Sequence, residues 1–377
     1  MSIRKRTWKS RGVEQTAWVV DYVDQHGARR LKTFATKKEA ESWKVSALHE
    51  VRQGIHTPAS VSRTVEQAAE HWIGNAEAEG LEQSTIKQRW VHLRVHINPF
   101  IGGEKLSQLT MPRVNQFDAD LRDNGRSPVM RRKVLTSLKG ILAYAQTQGW
   151  VAQNVARGIK VKSDERNAKG PLREGHDFPT KEELRTIMER APDKWRPLIV
   201  TAIFTGMRIS ELRGLRWHDL DLEAATIHVR QRADNWGKIG KPKSRAGNRD
   251  IPLAPIVVNT LAQWRSVCPP GKLGLVFPNT NGDVESYFTI RSSCWVPLQI
   301  DSGIIAGEGR AKYSFHALRH AAASLFIAHL GWTPKRLQAV MGHASIAMTF
   351  DRYGHLFADH DNDREAMKKL QSVVVAA

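Results

Sequence analysis

The chain has 377 residues, 41% of them apolar, which is enough to build cores for two or three domains. Its 57 basic residues against 38 acidic ones leave a formal charge of +19, which argues against an enzyme of small neutral substrates and for a polyanionic partner, nucleic acid ahead of an acidic membrane. No stretch approaches the ~20 apolar residues of a membrane span, the charged start MSIRKRTWKSRG lacks the apolar run of a secretory signal, and two cysteines, Cys268 and Cys294, can form neither a disulfide framework nor a four-ligand zinc site, so both read as reduced thiols of a cytoplasmic protein.

Residues 1–57 form a small basic unit. QTAWVVDYV and ARRLKTF have strand composition and are separated by a turn at Asp24-Gln25-His26-Gly27. Thr36-Lys37-Lys38-Glu39 is a capping box, which predicts a helix beginning there. A two- or three-stranded sheet backed by one helix is too small to be very stable alone, and its cationic start suggests that it leans on DNA.

HTPASVSR is a Pro/Ser break, followed by a second capping box at Thr64-Val65-Glu66-Gln67. The spacing of apolar residues then predicts helices over 65–79, 84–98, 110–123 and 128–147. Two of these carry mixed basic and apolar faces. The first offers Lys87, Arg89 and Arg94 beside Ile86, Trp90 and Leu93, and the second offers Arg131, Arg132 and Lys133 beside Val134, Leu135 and Leu138. Such a face is either a solvated bundle surface or a DNA-facing one, and the excess charge of this chain favours DNA. Residues 159–178 are charged and aperiodic, as a linker would be, and a third capping box at Thr180-Lys181-Glu182-Glu183 opens the last domain. There, mostly helical stretches surround two strands, 225–230 and 248–253, joined by a Lys/Gly-rich loop.

Chemistry gathers in this last region, in the strings TGMRISEL, PKSRAGNRDIPL, FHALRH and MGHASIAMTFDRYGHL. Arg208 follows the apolar run LIVTAIFTGM, where an unpaired charge would be costly, and Glu211 one turn on could hold it. Arg208 and Arg319 are suited to clamp the non-bridging oxygens of a phosphodiester. His316 and Arg319 share a helix face, and His316 could hydrogen-bond a phosphate oxygen or shuttle a proton. His320 stands four residues beyond His316, the spacing of a zinc-binding pair, but no third ligand or HExxH glutamate accompanies it, so a buttressing role from inside the helix is the simpler reading. His343 could donate to the same phosphate or cap the loop before Tyr353. Lys243, with Lys238, Lys241 and Arg245 as near competitors, could reach a bound duplex and protonate a leaving oxygen. Of the five tyrosines, Tyr22 and Tyr144 read as packing residues, and Tyr353 is the nucleophile that neighbouring cations would activate.

These strings resemble the motifs of the tyrosine recombinases of the phage integrase family. TGMRISELRGLRW resembles the family's first arginine box, FHALRH its HxLRH box, and MGHASIAMTFDRYGHL its box ending in the nucleophile. The lysine loop departs from the commoner pattern, with Lys243-Ser244 in place of KT, and it includes Gly247. The resemblance implies Arg208, Lys243, His316, Arg319 and His343 as the phosphate-activating set, Tyr353 as the residue forming a 3′-phosphotyrosyl link, and Glu211 as a supporting acid. It implies no metal or nucleotide cofactor. The expected fold is multidomain and mainly α with small β-sheets: a small β-sheet plus helix at 1–57 that binds arm-type DNA sites, a helical core-binding (SAM-like) domain at 64–158, a linker at 159–178, and an α+β tyrosine-recombinase catalytic domain with a C-terminal tail at 179–377. The expected activity is site-specific DNA integration and excision for a prophage or genomic island, by a homotetramer on double-stranded attachment sites. An excisionase or a host DNA-bending protein is the candidate further partner, and the expected place of action is the cytoplasm, on the nucleoid. The final apolar run, Val373 to Ala377, is expected to dock on a neighbouring protomer. Two other functions fit parts of the sequence: a type IB topoisomerase-like nicking-closing enzyme, and a DNA-binding regulator with an inactive catalytic domain.

Overall fold

The structure is a computed structural model, and it describes residues 1–10, 13–24, 27–52, 54, 56, 58, 62–161, 170–357, 367–368 and 370–372. The chain divides into two compact units, Met1–Ala168 and Lys169–Ala377. Among the described residues, no helix is long and apolar enough to cross a membrane.

The first unit opens with an antiparallel meander of β1 (Ser2–Ser10), β2 (Val13–Val23) and β3 (Arg29–Phe34), backed by α1 (Lys37–Arg52). The sequence did not announce β1. Its register against β2 sets Ile3 opposite Val20 and Lys5 opposite Trp18, so Ile3 is one of few apolar residues in a strand that is otherwise mostly basic and polar. The Thr36 capping box forms as expected, with Glu39 N–H donating to Thr36 Oγ1 and Thr36 N–H to Glu39. Tyr22 is a packing residue: it is buried, and its ring meets Trp43 edge-on.

Four helical stretches follow, close to those expected: α2 (Val65–Ala78), α3 (Gln83–Val91), α4 (Met111–Asp123) and α5 (Pro128–Thr147). The exception is α3, which does not end near 98 but continues as a wider π-helical stretch, His92–Gly102, carrying Pro99 within it. Widening accommodates the residue that cannot donate to a regular α-helical ladder. The core between these helices comes from Ile73, Leu93, Ile97, Phe117 and Leu138, all but fully buried. Gly140 on α5 faces Trp72 on α2 so closely that a Cβ there would stand 2.7 Å from the indole.

The second unit packs α6 (Lys181–Arg190), α7 (Arg196–Thr205) and α8 (Ile209–Arg213) with a small sheet and a helical C-terminal half. The Thr180–Glu183 capping box is formed, and Glu183 also accepts from Lys312 and Tyr313. β4 (Leu220–Asp221), β5 (Thr226–Val229) and β8 (Arg249–Pro252) make one antiparallel sheet. The loop between β5 and β8 contains a second short ribbon, β6 (Arg232–Ala233) with β7 (Ile239–Gly240). Then come α9 (Pro255–Val267), α10 (Tyr287–Ile290), α11 (Val296–Asp301), the pair β9 (Ile305–Ala306) and β10 (Arg310–Ala311), α12 (Ala317–Leu330), α13 (Pro334–Met341) and α14 (Ile346–Tyr353). α7 is apolar nearly all round and buried, and the alanines of α12, Ala321 and Ala322 among them, belong to the same core. Val373 to Ala377, Gln25 and His26 of the first turn, and much of the expected linker lie outside the described residues.

Replacing Gly140 with Ala should destabilise the protein by about 1–3 kcal/mol, since overpacking a filled interface forces Trp72 to shift. Chemical unfolding of the full-length protein, followed by tryptophan fluorescence, measures this. An unchanged midpoint would mean that the α2–α5 contact is loose.

Candidate active site

The site is assembled by the ends of helices. α7 stops at Gly206, whose φ of 60° is left-handed, and α13 stops at Gly342, with φ 65°. A residue bearing a Cβ resists that conformation. At Gly342 a Cβ would in addition meet Ala246 O and Arg249 Nη1, both at 2.9 Å. These two helix ends present carbonyl oxygens, which carry the negative end of the helix dipole, to two arginines. Arg319 on α12 donates from Nη1 to Gly206 O at 2.7 Å and from Nη2 to Met341 O, and it is only 3% exposed. Arg208, in the turn before α8, donates from Nη2 to Gly342 O at 3.0 Å.

Glu211 completes this frame. Arg208 donates to it from Nη1 at 2.9 Å and from its backbone N–H at 3.0 Å, while Arg249 on β8 donates from Nη1 at 3.1 Å and Nη2 at 2.8 Å. Burial opposes the charge on Glu211, but the Arg249 fork and the charge of Arg208 overcome it and hold the carboxyl at about 2. Arg249 also donates to Val340 O and Gly247 O, tying the sheet to α13. Sequence reasoning missed Arg249. The available signal was the alternation Arg249, Asp250, Ile251 on a half-buried strand, which puts Arg249 on the same face as the buried Ile251.

The aromatic side of the cluster is equally ordered. His316 begins α12, and its ring lies 5.0 Å from that of His320, edge to face. His320 Nδ1 is 2.8 Å from the Tyr353 hydroxyl. Tyr353 ends α14, is 1% exposed, and lies parallel to His343 with ring centres 6.2 Å apart. His343 is itself held by Thr349 Oγ1 at 2.9 Å. Burial pushes the Tyr353 phenol up to about 12, against the pull of Arg319, Arg352 and Arg208. Burial, then the neighbouring arginines, push His316 down to about 4 and His343 to about 3. His316 keeps an exposed edge all the same, so the packed surroundings of its remaining faces and the cations Arg319, Arg208 and Arg352 carry that shift. Before a phosphate arrives, the positive charge of the site therefore resides in guanidinium groups, and the imidazoles are neutral hydrogen-bonding groups.

The structure thus brings together Arg208, Glu211, His316, Arg319, His320, His343 and Tyr353. Lys243 stands exposed in the loop between β7 and β8, on the hairpin whose second strand carries Arg249. The six basic residues expected to meet DNA all lie in the first unit, and they differ among themselves. Arg89 stacks on Trp72 at 3.8 Å and Arg94 on Trp90 at 4.5 Å. Lys87, Arg132 and Lys133 are exposed. Arg131 is taken up by Asp118 through Nε at 2.9 Å and through Nη2, with its side chain 11% exposed, so it fastens α5 to α4 rather than standing ready for a phosphate. Among the described residues, no group of three or more His, Cys, Asp or Glu could hold a metal ion.

An arginine fork, two helix ends and a buried phenol thus stand together in one chain. The phage integrase family matches residues 178–360. A Mycobacterium tuberculosis protein assigned to prophage phiRv2 as its integrase is 26% identical over 375 residues, covering 97% of this chain and 95% of its own length. A XerC-like tyrosine recombinase of Caldanaerobacter subterraneus subsp. tengcongensis is 24% identical, covering 88% and 90%. In fold, the chain is similar to the Tn1549 transposon integrase in complex with transposon right end DNA, with TM-score 0.66 and 24% identity over 82% of this chain and 99% of that one. It is also similar to a lambda integrase tetramer bound to a Holliday junction, with TM-score 0.59 and 17% identity over 91% and 93%. Residues 178–360 carry the phage integrase family domain, and the chain is a tyrosine-type recombinase whose activity is site-specific DNA recombination.

Arg249→Met should cost about 3 kcal/mol or more, because it strips a buried carboxylate of its bidentate partner, and Glu211→Gln added to it should return part of that loss. Urea unfolding of the single and double variants tests this, and equal stabilities would show that Arg249 does not hold Glu211. The pH dependence has a definite sign. With its folded value at about 2 against an ordinary 4.5, Glu211 contributes stability that is complete above about pH 4.5 and fades as pH falls towards 2. The gap in stability between wild type and Glu211→Gln should therefore shrink on acidification through that window, and a constant gap would contradict the assignment.

Proposed function

We propose that this recombinase is the integrase of a prophage or genomic island, cutting and rejoining double-stranded attachment sites through a 3′-phosphotyrosyl intermediate. The observation that carries this reading is the Tyr353 phenol buried in the same cluster as Arg208, Arg319, His316 and His343 of its own chain. In this reading Arg208 and Arg319 take the non-bridging oxygens. Each guanidinium has five N–H donors, and the bonds to helix ends and to Glu211 leave some of them over for an anion. His316 and His343 add donors to the phosphorane, Lys243 protonates the leaving 5′ oxygen, and Glu211 fixes Arg208. The phosphotyrosyl bond conserves the energy of the broken linkage, so religation needs no nucleotide.

The remaining assignments follow the same reading. Residues 1–57 would bind arm-type sites, and 64–158 would bind the core site through Lys87, Arg89, Arg94, Arg132 and Lys133. Stacking on Trp72 and Trp90 holds Arg89 and Arg94 in place without consuming their donors on a carboxylate. Four protomers would act on two duplexes, as the lambda integrase tetramer bound to a Holliday junction does in its own system. An excisionase or host DNA-bending protein would set direction. A topoisomerase-like activity is the weaker reading, because the family match and the whole-length relatives are integrases and recombinases.

A nicked suicide substrate carrying the attachment sequence should trap a covalent adduct whose DNA-linked peptide contains Tyr353, and Tyr353→Phe should abolish it. Adduct formation by Tyr353→Phe, or a linked peptide from elsewhere, would overturn the nucleophile. Binding should weaken steeply with salt, by a log–log slope of roughly −0.9 for each phosphate neutralised. Filter binding between low and high salt measures the slope, and a flat response would contradict a broad cationic interface.

A further inference from the structure

The geometry points to His320 as the group that accepts the phenolic proton when Tyr353 attacks, a catalytic role beyond the buttressing suggested by its place in the helix. The inference rests on Tyr353 being the nucleophile. Three observations carry it. First, His320 Nδ1 lies 2.8 Å from the Tyr353 hydroxyl and is the hydrogen-bond partner described for it. The phenol is 1% exposed, so bulk water is no ready alternative for its proton. Because the hydroxyl must donate to something, Nδ1 is the acceptor and the ring proton sits on Nε2. Second, burial above all, then the cations and ring that face it, keep His320 unprotonated and so able to accept. His316 and Arg319 on its own helix and Arg352 on α14 lower it, and Asp177 from the segment before α6, the one carboxylate facing it, pulls the other way without prevailing. Tyr353 on α14 and His343 in the turn before it complete its surroundings. Third, His316 stands edge-on at 5.0 Å with an exposed edge, so His320 occupies the inner place in a pair that leads from the phenol towards the surface.

The step balances. The Tyr353 oxygen forms the bond to phosphorus, and the P–O5′ bond breaks with its electron pair leaving on the 5′ oxygen. That oxygen takes a proton from the general acid proposed at Lys243. The phenolic proton moves to His320 Nδ1, giving an imidazolium beside the added negative charge of the phosphorane. On religation the 5′ hydroxyl attacks phosphorus and gives its proton back to the neutral Lys243 amine, the bond from phosphorus to the Tyr353 oxygen breaks, and His320 returns its proton to the departing phenolate. His316 then serves the phosphate and His320 the nucleophile, so the two histidines of FHALRH divide the work.

His320→Asn keeps a hydrogen-bond acceptor near the position of Nδ1 but cannot take the proton. Single-turnover cleavage of a suicide substrate by this variant should slow by roughly 10²–10⁴-fold, with DNA binding unchanged. A substrate with sulfur replacing the bridging 5′ oxygen needs no acid for its leaving group, and it should leave the defect in place. A rate within threefold of wild type, or recovery on the sulfur substrate, would overturn the proposal. His320→Gln, which packs differently, gives a second reading should the first variant fail to fold. The unaltered protein gives a third: on the sulfur substrate its cleavage should fall as pH is lowered, and a flat acid limb would count against a histidine acceptor. Tyr353→Phe runs beside these, and any adduct from it would show that the nucleophile assignment, not His320, had failed.

Discussion

Everything in the second unit depends on burying fixed positive charge without neutralising it. A guanidinium taken out of water must find partners, and a carboxylate for each would cancel the charge that a phosphate is to meet. The protein instead spends helix ends. Gly206, Met341 and Gly342 supply carbonyls whose partial charge satisfies Arg319 and Arg208 while leaving most of their formal charge in place. A single carboxylate, Glu211, is shared between Arg208 and Arg249, so two arginines balance one acid. The two left-handed glycines are required by this arrangement, because the carbonyls must turn outward at the point where each helix stops.

That frame then dictates the state of the aromatic groups. Burial, helped by the neighbouring cations, leaves His316, His320 and His343 neutral, and burial alone raises the phenol of Tyr353, against the pull of those same cations. The resting site is short of negative charge, which in the proposed function a phosphodiester would supply. Binding of the substrate and activation of Tyr353 would in this way be aspects of one electrostatic imbalance. The N-terminal unit works on different terms. Some of its cations are held by aromatic faces, as with Arg89 on Trp72, some stand exposed, as with Lys87 and Arg132, and others are taken up by acids, as with Arg131 on Asp118; only the last have their charge balanced by a carboxylate.

Much of this was legible in the sequence, for identifiable reasons. The capping boxes at Thr36, Thr64 and Thr180 are local hydrogen-bond patterns, and each formed where the residues demanded. The site strings were legible because Arg208, His316, Arg319, His343 and Tyr353 keep their neighbours within a few positions. Arg249 was hidden because its partner Glu211 is distant in sequence and nothing local to its strand, 248–253, shows a buried acid facing it. The strand Ser2–Ser10 was hidden because Arg4, Lys5, Arg6 and Lys9 dilute its alternation. The continuation of α3 past Pro99 was hidden because proline ordinarily ends a helix, and only the widened turns explain why it does not. Arg131 looked like its neighbours Arg132 and Lys133 because a single helix face cannot reveal an acid on the next helix.

The most direct test of the central claim replaces one non-bridging oxygen of the scissile phosphate with a methyl group, which removes its charge, and measures single-turnover cleavage by wild type and by Arg319→Ala. If the buried guanidinium serves to neutralise that oxygen, the variant should be severely impaired on the natural phosphate and much closer to wild type on the neutral one. An equal deficit on both substrates would show that Arg319 holds the fold together but does not meet the phosphate.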